Sequence, residues 1–259
     1  MNRASLPLYS SILDGIGVAR LAFRSFREAF TATSGARFCI QRIWVQQMKF
    51  TGVDACHIVV MAGFLIGAIV ALQSLSILPQ VGAAGMLGKL MAMVVIRELG
   101  PILVAFIVIG RSGTAMSVEI GTMVVGGEVA ALRSLGISPR AYIVFPRIVG
   151  VVLASFILLV YFDMASLFGG YVASSMLIKQ HPDFYLRSLG EHIHLIDIVA
   201  TILKGFLFGL IISSIACYFG LRVQRSITEV PQAAMRTVVA AILACLACDL
   251  LVSFSYIRI

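Results

Sequence analysis

Residues 97–147 read RELGPILVAFIVIGRSGTAMSVEIGTMVVGGEVAALRSLGISPRAYIVFPR. An arginine and a glutamate stand side by side inside an apolar run, and a Gly-rich, weakly amphipathic segment follows. The stretch closes on Pro-Arg just before another apolar run. Apolar runs of about 20 residues, long enough to cross a bilayer as helix, recur along the chain. Of its 259 residues 60% are hydrophobic and 12% charged, and the mean hydropathy is +1.01. A soluble globular chain carries about 25% charged residues. The chain therefore reads as an all-α polytopic membrane protein. A single transmembrane domain covers 1–259, with an interfacial N-terminal region over 1–56 and a five-span bundle over 58–257.

Working outward, the first span is expected at about 58–78 and the second at about 88–110. The third should run from after Pro146 to about 168, the fourth over 195–219 and the fifth over 237–257. Gly63 and Gly67 have GxxxG spacing, as do Gly205 and Gly209, and this spacing permits close helix approach. Residues 8–30 do not span. Ile12, Ile16, Ala19, Phe23, Phe26 and Phe30 recur as one helical stripe, with Arg20, Arg24 and Arg27 beside it. Such a helix lies on the membrane surface, against lipid or against the protein's own body. The basic and apolar stretch from Arg37 to Lys49, around Trp44, suits an interfacial lead-in.

The net charge of +8 sits between apolar runs, where it meets anionic headgroups and argues against nucleic acid as a partner. Seven Lys and Arg precede the first span, four lie in 111–147 and three in 222–236. The opposite side holds Lys89, Lys179, Arg187 and Arg258. The bias places the N-terminus and the basic loops in the cytoplasm and the C-terminus outside. Residues 1–20 lack a signal-peptide core, so the chain is expected to insert through its own spans. Cys245 and Cys248 form a CxxC inside an apolar run, where thiols act as small apolar groups, and no metal framework is legible.

Arg97, Glu98, Lys204 and Asp249 fall inside expected spans, and Asp163 lies nearer an end. A central charge costs roughly 2.5–3.5 kcal/mol on insertion scales, so these groups should pair. They either hold the helices in register or line a path for a substrate with a charged head. Gly110-Arg111-Ser112-Gly113 has the GxSG form of rhomboid-type intramembrane proteases. Its serine needs a histidine, yet His57, His181, His192 and His194 lie at the wrong depth or side. Small residues at 110–117 would instead allow close packing. GAAGMLGK at 82–89 fails the phosphate-loop pattern, so ATP and Mg must be handled by a partner.

Gly126-Gly127 break the chain, and Glu128–Leu135 contains good helix formers, with Gly136 as a C′ cap and Pro139 beyond. A helix of about two turns is marginal alone. It either docks on a partner or folds against its own spans. Its pattern resembles the EAA loop of ABC permeases, which seats in a cleft of the ATPase subunit.

RELGPIL (97–103), GRSGTAMSVEIGTM (110–123), E-x-x-A-L-x-x-L-G-x-x-P (128–139), FPR (145–147), KGFLFGLIISSIACYFGLR (204–222) and RTVVAAILACLACDLL (236–251) together resemble the MlaE family of permease subunits in ABC lipid transporters. The resemblance runs from about residue 40 to the end. It implies a surface helix and five spans, acting as a homodimer with two ABC ATPase subunits. A hexameric MCE-domain ring and a small STAS-domain subunit would complete the assembly. The cargo would be phospholipid moving between the inner and outer membranes of a diderm cell. Glu119, Glu128, Ala131, Leu132, Leu135 and Gly136 would meet the ATPase, while Arg97, Glu98, Lys204 and Asp249 fall at the family's charged membrane positions. Leu65, Ile69, Leu72, Leu75 and Leu99 would face a lipid cavity at the dimer interface. Other readings are a permease for a sterol or toxin, a scaffold anchoring an MCE ring, and the intramembrane protease.

Overall fold

The computed structural model describes residues 7–30, 43–77, 87–178, 185, 187–190, 195–224 and 226–257. Every regular element among them is a helix. Five helices are long and apolar enough to cross a membrane: span one (Ile43–Ile77), span two (Gly88–Val125), span three (Arg140–Met176), span four (Ile196–Leu221) and span five (Glu229–Ser255). A surface helix, Pro7–Phe30, precedes them, and a short helix, Glu128–Ser134, joins spans two and three.

Several spans outrun their apolar runs, mostly at the end that bears the short helix, while span three also runs on to Met176 at the other. Span two was expected to stop near residue 110 but continues to Val125, and span three begins six residues before Pro146. The loop expected over 111–147 therefore shrinks to the short helix and its flanks. The cause is charge pairing. Arg111 lies 3.5 Å from Asp54 on span one, donates to the Phe50 carbonyl at 3.1 Å and stacks 5.0 Å over the Phe50 ring. Arg147 lies 2.7 Å from Glu119. Helices continue where their charges find partners. The Arg37–Lys49 lead-in is helical from Ile43 and merges with span one through a π-turn at Lys49–Val53; residues 37–42 lie outside the described set. The polar stretch 179–194, with three histidines, and the 82–86 part of GAAGMLGK lie largely or wholly outside it as well.

Span three forms the centre of the bundle, with span one along one side and span four along the other; spans two and five close around span four. The span-one GxxxG works inside the chain. A Cβ on Gly63 would stand 2.7 Å from the Phe162 carbonyl oxygen, and one on Gly67 only 1.8 Å from that of Ser166. Gly209 approaches Val152 in the same manner, at 2.7 Å from its Cα. Within 110–117, Gly110 faces open space, but Ser112, Gly113, Met116 and Ser117 are buried. The close approach comes from Gly220, where a Cβ would meet Ile120 at 2.9 Å and the Ser117 carbonyl oxygen at 3.0 Å.

The surface helix divides its apolar residues between two faces. Val18, Leu21 and Phe26 pack on the bundle, with Phe26 edge-on to Phe145 at 5.3 Å, whereas Ile16 and Phe23 point outward beside the exposed Arg20, Arg24 and Arg27. Its two ends are tied down. Asp14 pairs with Arg222 and accepts from the Tyr218 hydroxyl at 3.0 Å. Glu28 accepts from the Ser138 hydroxyl and pairs with Arg140 at 3.1 Å, just beyond the short helix.

The Ser138 hydrogen bond, joined by the hydrogen bond and charge of Arg140, outweighs desolvation and holds the Glu28 carboxyl below its ordinary 4.5. A carboxyl with a depressed pKa stabilises its contact above the unfolded value and loses that contribution as pH falls through the folded one. The tie should therefore hold at neutral pH and open only as the pH falls below the ordinary carboxyl range. Spin labels at Phe23 and Leu135 report it: their distance distribution broadens in acid, and Glu28→Gln broadens it already at pH 7. A distribution that stays unchanged until the protein unfolds in acid would contradict this.

Candidate functional site

Two constellations emerge, one at the short helix and one inside the membrane. The short helix starts after Gly127, whose φ of 77° falls in the left-handed region, and ends on Gly136, with φ of 74°. The Gly136 N–H donates to the Arg133 carbonyl at 3.0 Å and the Ile137 N–H to Leu132 at 2.9 Å. That pair of bonds is a Schellman cap, and it needs the φ that glycine supplies without strain. Val129 is buried and Leu132 half-buried, so two apolar side chains anchor the helix to the bundle. Ala130, Ala131, Arg133, Ser134 and Leu135 remain exposed.

Beside it opens a cleft of about 750 Å³. Glu119, Glu128, Ala131, Leu132 and Leu135 all line it, so five of the six residues expected to meet a partner share one cavity, and the sixth, Gly136, caps the helix on its rim. Arg147 supports the floor: its side chain is almost fully buried, while the Glu119 carboxylate that it holds is 59% exposed. The arrangement offers carboxylates and apolar side chains to an incoming protein surface.

Within the membrane, the structure brings together three of the four expected charges by their side chains. Lys204 is fully buried and reaches Glu98 at 3.1 Å and Asp249 Oδ1 at 2.8 Å, the latter an ion contact without hydrogen-bond alignment. Its ammonium also donates to the Arg97 carbonyl at 2.9 Å and the Ser253 hydroxyl at 3.0 Å. Ser253 in turn donates to Glu98 at 3.0 Å. Here the backbone is π-helical, the Gly100 N–H donating five residues back to the Val95 carbonyl, so Pro101 deprives the Ile96 carbonyl, which accepts from the Thr201 hydroxyl at 3.4 Å. The preceding π-helical stretch, Met91–Leu99, makes room for the proline ring. The Arg97 side chain turns away, toward Asp197 at 3.9 Å. Asp163 stands apart, where a Cβ on Gly100 would touch its Oδ1 at 2.8 Å. Ser253 and Asp197 escaped the sequence reading.

Leu65, Ile69 and Leu72 form an exposed stripe on span one, with Leu75 half-buried at its edge and Leu99 half-buried on span two. Ser112 is buried, and its hydroxyl bonds to no described residue, histidine included. Ser112→Ala should leave activity and stability nearly unchanged. Complete loss of activity in a normally folded variant would point to a nucleophile instead.

A family model described as Permease MlaE matches residues 44–255. A probable ABC transporter permease protein of Rickettsia typhi is 34% identical over 176 residues, 68% of each chain. A probable ABC transporter permease protein of Synechocystis is 31% identical over 79% of this chain and 78% of that one. The intermembrane phospholipid transport system permease protein MlaE of Haemophilus influenzae is 28% identical over 81% of this chain and 80% of its own. With the match covering all five spans and the short helix between them, the chain belongs to the MlaE permease family of transmembrane ABC permeases.

Proposed function

We propose that this chain is the membrane subunit of an ATP-driven transporter that moves phospholipids between the inner and outer membranes. It would act as a homodimer with two ABC ATPase subunits, which would meet the short helix on the cytoplasmic side. A hexameric MCE-domain protein would receive or deliver lipid on the other side, and a STAS-domain subunit would sit on the ATPase. ATP and Mg are the ATPase's ligands; this chain serves as its mechanical partner. The Haemophilus relative's role in phospholipid transport supports the cargo. The exposed Leu65–Ile69–Leu72 stripe would face its counterpart across an apolar cavity between two copies.

The observation that carries this reading is the short helix. It is capped, anchored by few side chains and otherwise exposed beside a cleft that holds Glu119 and Glu128. Such a helix transmits force if a partner grips it. Glu128→Lys should abolish ATP-coupled lipid transfer in reconstituted vesicles and weaken ATPase co-purification, with membrane insertion unaffected. Full transfer with the ATPase still bound would overturn the assignment.

A further inference from the structure

A second cavity, of about 590 Å³, lies on the outside of the bundle between the surface helix and spans four and five. Gly15, which has no side chain, and the small Ala19 and Ala22 line it and leave a gap that larger residues would close. Leu210, Ile211 and Leu243 supply apolar walls, and Leu243 is 63% exposed, so the groove opens toward the bilayer. Asp14 lines it at one end and is bonded there to Arg222 and Tyr218, which bond to each other.

One polar group on the wall has no partner among the described residues. Ser214 lines the groove and is 3% exposed, and its hydroxyl bonds to no described residue. A buried hydroxyl left unpaired costs about 1–3 kcal/mol, so an acceptor is expected within its reach. Ser214 lies one helical turn, about 6 Å, below Tyr218 along span four. A glycerophospholipid has the same layout: a charged headgroup, ester carbonyls a short distance below it, and apolar chains beneath. The groove also lies in the size range of small-molecule sites, about 300–1,000 Å³.

We propose that this groove is a binding site for a diacyl glycerophospholipid drawn from the surrounding bilayer. Its headgroup rests at Asp14 and Arg222, an ester carbonyl accepts from the Ser214 hydroxyl, and an acyl chain fills the space under the surface helix. The site is separate from the Leu65–Leu72 face and does not depend on what the transporter carries. A lipid held there wedges the surface helix, whose far end is tied through Glu28 to the residues that follow the short helix.

The test uses the full chain in phosphatidylethanolamine vesicles doped with a phosphatidylethanolamine that carries a photoreactive acyl chain, in diester and diether forms. The diester probe should label peptides containing residues 14–22, 210–219 and 240–244. Gly15→Leu, at a position where a Cβ meets nothing within 4 Å, fills the groove without a backbone clash. It should reduce that labelling about tenfold while labelling of residues 65–72 stays constant. The diester should outcompete the diether about fivefold, the worth of one ordinary hydrogen bond, and Ser214→Ala should erase the preference. Groove labelling that matches the 65–72 face, or that Gly15→Leu leaves intact, would mean adventitious lipid only and would overturn the proposal. So would equal diester and diether labelling of the native chain, or a disulfide between copies through Gly15→Cys showing that a second chain occupies the groove. Absence of lipid transport by the native complex, with groove labelling intact, would count against the transport reading and leave this site standing.

Discussion

Lys204→Met is expected to destabilise the folded permease by about 3–5 kcal/mol, the cost of removing one partner from a buried ion pair. Among the described residues Lys204 is the cation of its cluster, and it serves four acceptors: two carboxylates, a hydroxyl and the Arg97 carbonyl. Without it, Glu98 and Asp249 face each other with no neutralising charge, and the Arg97 carbonyl loses its hydrogen bond. Because the three residues come from spans two, four and five, the loss loosens the packing of all three helices. The Lys204→Met, Glu98→Gln, Asp249→Asn triple variant should recover most of the loss, since two uncharged amides no longer repel. Thermal unfolding of the full chain in nanodiscs measures both variants. A Lys204→Met variant as stable as the native protein would show that the cluster does not hold these helices together.

Gly67→Ala should be nearly as damaging, although it adds a single carbon. Its Cβ would fall 1.8 Å from the Ser166 carbonyl oxygen, 2.5 Å from the carbonyl carbon and 2.6 Å from the Cα. These are backbone atoms, so no side chain can rotate away, and spans one and three must separate by more than an ångström. Overpacking of this kind costs typically 1–3 kcal/mol, and Gly67→Ala should lie at or above the top of that range. Gly67→Leu should give no folded protein. Gly110→Ala is the control: its Cβ would meet nothing, and alanine's better helix propensity should make it neutral or slightly stabilising. Equal unfolding temperatures for Gly67→Ala and Gly110→Ala would contradict the packing described for spans one and three.

These two sites mark where sequence reading succeeds and where it stops. The number of spans follows from apolar runs, which report the cost of putting backbone and charge into hydrocarbon. The short helix was legible almost to the residue, because Gly127 and Gly136 flank good helix formers and both adopt positive φ. The charges of the membrane cluster were also visible, since each is an exception within an apolar run. Their pairing was not, because it depends on which faces three separate helices turn inward. Span ends were misjudged for the same reason. Hydropathy stops a helix at Arg111, whereas Asp54, distant in sequence, satisfies that arginine and lets the helix continue. The GxxxG of span one marked a close approach but not its partner, which proved to be span three of the same chain.

Native mass spectrometry of the intact complex, extracted with its lipids, tests the central claim most directly. The account predicts two copies of this chain bound to two ATPase subunits, with phospholipid retained, and loss of the ATPase from the Glu128→Lys complex. A native chain that travels without an ATPase, or a Glu128→Lys complex that keeps its ATPase and transports normally, would contradict it.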